Sequence, residues 1–169
     1  LSENEKNKIA EIVGIGAIKY FNLSQNRMSK ISFSWDKVLN FEGNASPYLQ
    51  YTYARIISIF KRVKENNIVY DKKYECIPCG MSENEKILGR TILKFSHIIM
   101  KVYETNKPNL LTDYLFELAK IFNSFYGTES IVKEDNIEKF NIKLLLSEKT
   151  SHIIKEGLML LGIKVVDKM

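Results

Sequence analysis

Histidine, cysteine and arginine are scarce in this chain, and each shortage removes a class of function. Two histidines and two cysteines occur among 169 residues. Cys76 and Cys79 form a single CxxC with no second pair, and His97 and His152 lie far away in apolar helical patterns. A closed zinc site takes about four ligands, so no metal site is expected. A redox CxxC needs a strand-to-helix setting that is missing, which leaves two thiols in a reducing compartment beside a Pro-Cys-Gly turn. No carboxylate pair, Ser-His-Asp set or Cys-His pair has the context for chemistry, so no catalytic residue is assigned. No apolar run reaches the roughly 20 residues that cross a bilayer. Gly14-Ile15-Gly16 lacks the strand and third glycine of a dinucleotide loop and reads as a helix-packing or hinge feature. The chain opens on Leu1 rather than Met, as expected of a piece of a longer protein.

What remains is soluble and globular in composition, with 45% hydrophobic and 27% charged residues, enough for one domain with a sizeable core. The net charge of +5 and pI near 9.0 lean toward a polyanionic partner. Arg27, Arg55, Arg62 and Arg90 are the only arginines; lysine supplies the rest. Heavy use of Lys, Asn and Ile points to an AT-rich genome, so codon bias contributes to the basicity.

The apolar periodicity is helical nearly throughout. Ser2-x-x-Glu5 and Ser82-x-x-Glu85 are capping boxes within one repeated pentapeptide, Ser-Glu-Asn-Glu-Lys. The first opens a helix through about residue 20. The second opens one that carries Leu88, Ile92, Phe95, Ile99 and Val102 before a break at 106–109 around Pro108. Leu111, Leu115, Leu118, Phe122 and Phe125 mark the cleanest stripe, with Gly127 placed to stop that helix, and a last helix covers 137–161. Gly162 followed by Ile163 fits a glycine-capped end with a hydrophobic latch. Ile31, Phe33 and Trp35 alternate over a short extended stretch, and 66–80 is a polar connector. The expected fold is an all-α, antiparallel helical bundle.

The run from Phe41 to Arg55 is the most informative. A turn on Gly43 and Asn44 leads into Ser46 and Pro47, suited to be the N-cap and first residue of a helix. Leu49, Tyr53, Ile56, Phe60 and Val63 form a core stripe on it. Tyr48, Tyr51, Arg55 and Arg62 share another face, where rings interleave with guanidinium groups. That is the chemistry that stacks unpaired bases and holds phosphates. Half-buried bundle tyrosines would give the same spacing, and Lys61, Arg62, Lys64, Lys72 and Lys73 suit a phosphate track or a solvated surface equally.

From Gly14 onward the chain resembles the C-terminal, DALR-type anticodon-binding part of arginyl-tRNA synthetases, a class I family. The resemblance rests on Gly16-Ala17-Ile18-Lys19-Tyr20, Leu23-Ser24-x-Asn26-Arg27, Phe33-x-Trp35-Asp36 and, most specifically, Phe41-Glu42-Gly43-Asn44 with Pro47-Tyr48-x-Gln50-Tyr51. Tyr114-Leu115-x-x-Leu118-Ala119 with Phe122 and Phe125-Tyr126 follows, then Gly157-Leu158-x-x-Leu161-Gly162-Ile163. It implies a class I type anticodon bundle over residues 41–169, with 1–40 as a connector from the end of a catalytic domain and Met169 as the natural C-terminus. It also implies that Tyr48, Tyr51, Arg55, Tyr126 and Met169 bind the anticodon, with Gly43, Asn44 and Pro47 shaping the loop. Candidate phosphate contacts are Lys61, Arg62, Lys64 and Lys143. The implied partners are arginine tRNA and the rest of the parent synthetase, with other proteins as further partners and no membrane. The parent, an arginine–tRNA ligase, uses ATP and Mg2+; no cofactor is expected in this piece.

Phe140 and Lys143 stand where relatives often carry arginine, and lysine offers only a point charge there. The His-Ile-Gly-His motif and Rossmann domain of class I enzymes are missing, so this piece alone is expected to be inactive. Arg27-Met28-Ser29-Lys30 looks like part of the Lys-Met-Ser-Lys-Ser loop but falls too far downstream and reads as coincidence. The expected compartment is the cytosol, with an organellar form left open, and the sequons at Asn22 and Asn44 read as accidental. Two rivals are a helical protein-interaction module, since tyrosine and arginine are also interface hot spots, and the bundle of another class I synthetase.

Overall fold

The computed structural model describes residues 1–40, 43–66, 68, 80–129, 131–132 and 134–169. Phe41, Glu42, Lys72, Lys73, Cys76 and Cys79, all named above, lie outside the described residues. Among the described residues the fold is entirely helical: α1 (Glu3–Ser24), α2 (Trp35–Val38), α3 (Ser46–Glu65), α4 (Glu83–Leu93), α5 (Phe95–Thr105), α6 (Asn109–Thr128) and α7 (Ile137–Leu160). No described helix is long and apolar enough to cross a membrane.

The two copies of the pentapeptide make the same cap. Ser2 Oγ accepts the Glu5 N–H at 3.3 Å and the Glu5 carboxylate accepts the Ser2 N–H at 2.7 Å. Ser82 and Glu85 repeat this at 3.1 and 2.8 Å. The α6 stripe is buried in full, and α6 packs against α1, α3, α4, α5 and α7, so it forms the axis of the bundle.

Gly157 brings α7 onto that axis: a Cβ there would lie 2.7 Å from Leu115 Cδ2, and Leu115 is fully buried. Gly157→Val is expected to cost about 2 kcal/mol or more, since overpacking costs roughly 1–3 kcal/mol and a β-branched residue recovers little helix propensity. The urea midpoint measures it; an unchanged midpoint would show that the helices can part freely.

Four local expectations are corrected. The α3 N-cap is Ala45 rather than Ser46, which is already helical with its Oγ buried and unpartnered. Gly127 does not stop α6; the helix runs on to Thr128, whose hydroxyl bonds back to the Ser124 and Phe125 carbonyls at 3.0 and 3.2 Å. The helix expected from 82 to past 102 breaks at Lys94. There the Thr91 carbonyl accepts both the Lys94 N–H, in a tightened i→i+3 bond, and the Tyr114 hydroxyl at 3.0 Å from α6. Trp35 opens a single helical turn instead of ending an extended stretch. It is placed by an edge-to-face ladder running Phe21–Phe33–Trp35 at 5.4 and 5.0 Å.

Gly16 is a packing glycine: a methyl there would stand 3.1 Å from Gln50 Nε2 and Ile163 Cγ2, so α1 and α3 meet over a bare backbone. Arg27 to Lys30 lie in a surface turn with Met28 strongly exposed.

Candidate nucleic-acid interface

The loop before α3 is pinned from two sides. The buried Tyr20 hydroxyl of α1 lies 2.7 Å from Asn44 Oδ1 and 2.9 Å from the Thr112 carbonyl of α6. Burial, and secondarily the charge of Asp113, pushes that hydroxyl's pKa well above the usual tyrosine value. Asn44 Nδ2 donates to Asp113 at 3.4 Å, and the Gly43 N–H donates to Asn40 Oδ1 at 3.1 Å. Pro47, in the first turn, is buried. The start of α3 is thereby fixed relative to α1 and α6.

One turn on, α3 opens into a cleft of about 670 Å³ lined by Tyr51, Arg55, Arg62, Tyr126, Lys168 and Met169, among others. The Arg55 guanidinium sits 4.8 Å from the Tyr51 ring centroid and 5.5 Å from that of Tyr126. Its Nη2 donates to the Tyr51 hydroxyl at 3.3 Å and its Nη1 to Asn123 Oδ1 at 2.6 Å. Tyr126 is backed by Phe122, stacked at 6.2 Å with an interplanar angle of 16°. The result is a cation held between two aromatic rings, one of them 42% exposed, with further positive charge from Arg62 and Lys168 and one carboxylate, Asp167, in the same lining.

The far wall comes from the chain beyond α7. Gly162 is left-handed (φ +70°), its N–H bonds the Met159 carbonyl at 2.9 Å, and the Ile163 N–H bonds the Leu158 carbonyl at 2.9 Å. This is a Schellman cap, as the glycine-Ile pair predicted. Residues 162–169 then lie as a strap along α1 and α3. Lys19 Nζ donates to the Gly162 carbonyl and Gln50 Nε2 to the Lys164 carbonyl, each at 2.7 Å. Burial, then the charge of Asp167 and a hydrogen bond to it, raises the Tyr53 hydroxyl pKa, which ties the strap to the middle of α3. Met169 ends in the cleft beside residues more than a hundred positions away.

Four of the five expected anticodon residues, Tyr51, Arg55, Tyr126 and Met169, therefore line one cleft. Tyr48 does not; its ring packs edge-on against Phe116 at 5.4 Å and its hydroxyl accepts from Asn123 at 2.9 Å. Of the phosphate candidates, Arg62 is exposed on the cleft rim, and Lys61 and Lys64 are exposed on α3, with Lys61 3.8 Å from Glu65. Lys143 is a correction. It is 5% exposed and paired with Glu134 at 2.7 Å and Glu129 at 3.4 Å, because two carboxylates at the ends of neighbouring segments converge on it. Asn123 carried no signal in the sequence: a lone asparagine in a helix gives no pattern until its neighbours are known.

Residues 49–169 match the family described as the DALR anticodon binding domain. The chain belongs to that family. As a DALR domain it is similar to the arginine–tRNA ligase of Fusobacterium nucleatum, at 50% identity over all of this chain and 29% of the relative. It is also similar to that of Crocosphaera subtropica, at 44% over 99% of this chain and 28% of the relative. Among solved structures, Thermus thermophilus arginyl-tRNA synthetase superposes with a TM-score of 0.83 at 25% identity, covering 97% of the domain and 28% of that chain. The Plasmodium falciparum enzyme gives 0.78 at 30% identity, covering 96% and 28%. The DALR domain thus spans less than a third of the length of these relatives.

Proposed function

We propose that this chain is the anticodon-reading bundle of an arginine–tRNA ligase and that its work is recognition rather than chemistry. The observation that carries this is the cleft itself, where Arg55 is fixed between Tyr51 and Tyr126 with Met169 closing the side. Unpaired bases stack on the exposed ring faces, each worth roughly 1–3 kcal/mol, while Arg62, Lys61 and Lys64 neutralise backbone phosphates. Tyr48 supports the cleft from behind through Asn123. Residues 1–40 lead out of a catalytic domain of the parent. Support for that comes from Met28, Phe33 and Trp35, which are exposed here as expected of a surface covered by the remainder of a larger enzyme. Among the described residues no group of three or more His, Cys, Asp or Glu could hold a metal ion. Use of ATP and Mg2+ is assigned to the catalytic domain of the parent ligase, and the cytosol is the compartment proposed for it.

Filter binding of an arginine tRNA transcript across a salt series tests this. If the three α3 cations each neutralise one phosphate, raising salt from about 50 to about 200 mM weakens binding roughly 20- to 40-fold. A flat response, or binding no tighter than to an unrelated tRNA, overturns the proposal in favour of a protein-docking face.

A further inference from the structure

Asn123 of α6 is the most connected polar side chain at the cleft. Its Oδ1 accepts from Arg55 Nη1 at 2.6 Å, and its Nδ2 donates to the Tyr48 hydroxyl at 2.9 Å and to Thr52 Oγ1 at 3.0 Å. The orientation of the amide is forced, because a guanidinium has donors and no acceptor. The amide oxygen must face Arg55, so the amide nitrogen faces two hydroxyls that must accept. Thr52 is consistent with this, since its own proton is committed to the Tyr48 carbonyl at 2.9 Å. The order propagates outward. Arg55 Nη2 donates to the Tyr51 hydroxyl, so Tyr51 accepts there and its proton is left for the cleft.

We infer that Asn123 is a positioning residue that locks Arg55 against the two rings, so that Arg55 and the Tyr51 hydroxyl present donors to the cleft and take an unpaired base through an acceptor-bearing edge. This rests on the reading of the cleft as an RNA site. Direct contact with the ligand falls to Arg55 and Tyr51; Asn123 acts through them. A base offering an exocyclic amine toward Arg55 would meet another donor and be refused, which gives the cleft selectivity that stacking alone cannot supply.

A double-mutant cycle on arginine tRNA binding tests the coupling. Asn123→Ala is expected to weaken binding roughly tenfold, the loss of a hydrogen bond to a charged group. In an Arg55→Ala background it is expected to cost nothing further. Independent losses that simply add would overturn the inference. Nitrogen-15 spectra of the Arg55 guanidinium give a readout that a purely structural role would not move: slowed rotation in the parent chain, free rotation in Asn123→Ala at an unchanged helical content. Transcripts with single abasic sites in the anticodon loop separate a base from a phosphate. One abasic position is expected to erase the Asn123 dependence; if none does, the ligand is a phosphate and the base-edge inference fails. Should Asn123→Ala not fold, Asn123→Ser is carried through the same cycle with the same criteria. If Arg55→Ala itself binds normally, the proposed function fails; if Arg55→Ala is impaired and Asn123→Ala is not, only this inference fails.

Discussion

Arg55→Ala is expected to weaken binding of arginine tRNA by roughly a hundredfold, a loss of about 2.7 kcal/mol. A hydrogen bond from a charged donor contributes roughly 1.5–3 kcal/mol, and Arg55 does more than donate. Its guanidinium lies between the rings of Tyr51 and Tyr126 and holds the Tyr51 hydroxyl, so truncation also frees the exposed ring proposed to stack a base. Arg62 provides the internal comparison. It is exposed on the rim, and Arg62→Ala is expected to cost less than about tenfold and to lower the salt slope by about one. Arg55→Lys is not expected to rescue, because an ammonium cannot reach Asn123 and Tyr51 at once in a fixed fork. Equilibrium binding by fluorescence anisotropy distinguishes these. Arg55→Ala within about threefold of the parent chain would remove Arg55 from the site.

Lys143→Met is expected to be the most destabilising single substitution of a charged residue, by about 3–5 kcal/mol at neutral pH. Lys143 Nζ is buried between Glu134 and Glu129, and Ser82 Oγ donates to Glu129, so the cluster ties the start of α4 and the end of α6 to α7. Burial acts to lower the Lys143 pKa, but the hydrogen bond it donates to Glu134 and the charges of Glu134 and Glu129 outweigh it and hold it above the ordinary lysine value. Glu134 is held below the usual carboxylate range chiefly by that same bond. Glu85, buried nearby and close to the Glu129 charge, is held above it. Removing the only cation paired with Glu129 and Glu134 in the described structure leaves them facing each other beside Glu85.

The sign of the pH effect follows. A carboxylate with a lowered folded pKa contributes stability above its unfolded value, about 4.3 for Glu, and loses it as pH falls through the folded value. Lys143→Met abolishes the Glu134 contribution and adds repulsion that protonation relieves. The gap between variant and parent is therefore expected to be widest at neutral pH and to narrow below about pH 5. Urea midpoints at several pH values check it. A cost below about 1 kcal/mol, or one independent of pH, would show that the cluster is solvated in solution.

The local code of the bundle was legible because short-range physics writes it. Both capping boxes, the α6 stripe and the Gly162-Ile163 cap depend on residues within four or five positions of one another, and all stand as expected. The exceptions had distant causes. A tyrosine from α6 takes the Thr91 carbonyl where the chain breaks at Lys94, and nothing between 82 and 102 encodes that. Ser46 was passed over as a cap although its residue type suits the position. Lys143 reads like any surface lysine until Glu129 and Glu134 fold onto it.

The sequence by itself determined the family, the all-helical architecture and the aromatic and arginine residues that meet in the cleft, through motif blocks and periodicity. Only the tertiary structure decided which of them work together. Helical spacing puts Tyr48 beside Tyr51 and Arg55, yet packing against Phe116 and Asn123 turns Tyr48 away from the cleft that its neighbours line. It also brought in Asn123, whose role exists only because a guanidinium cannot accept a hydrogen bond and so dictates the orientation of everything that touches it.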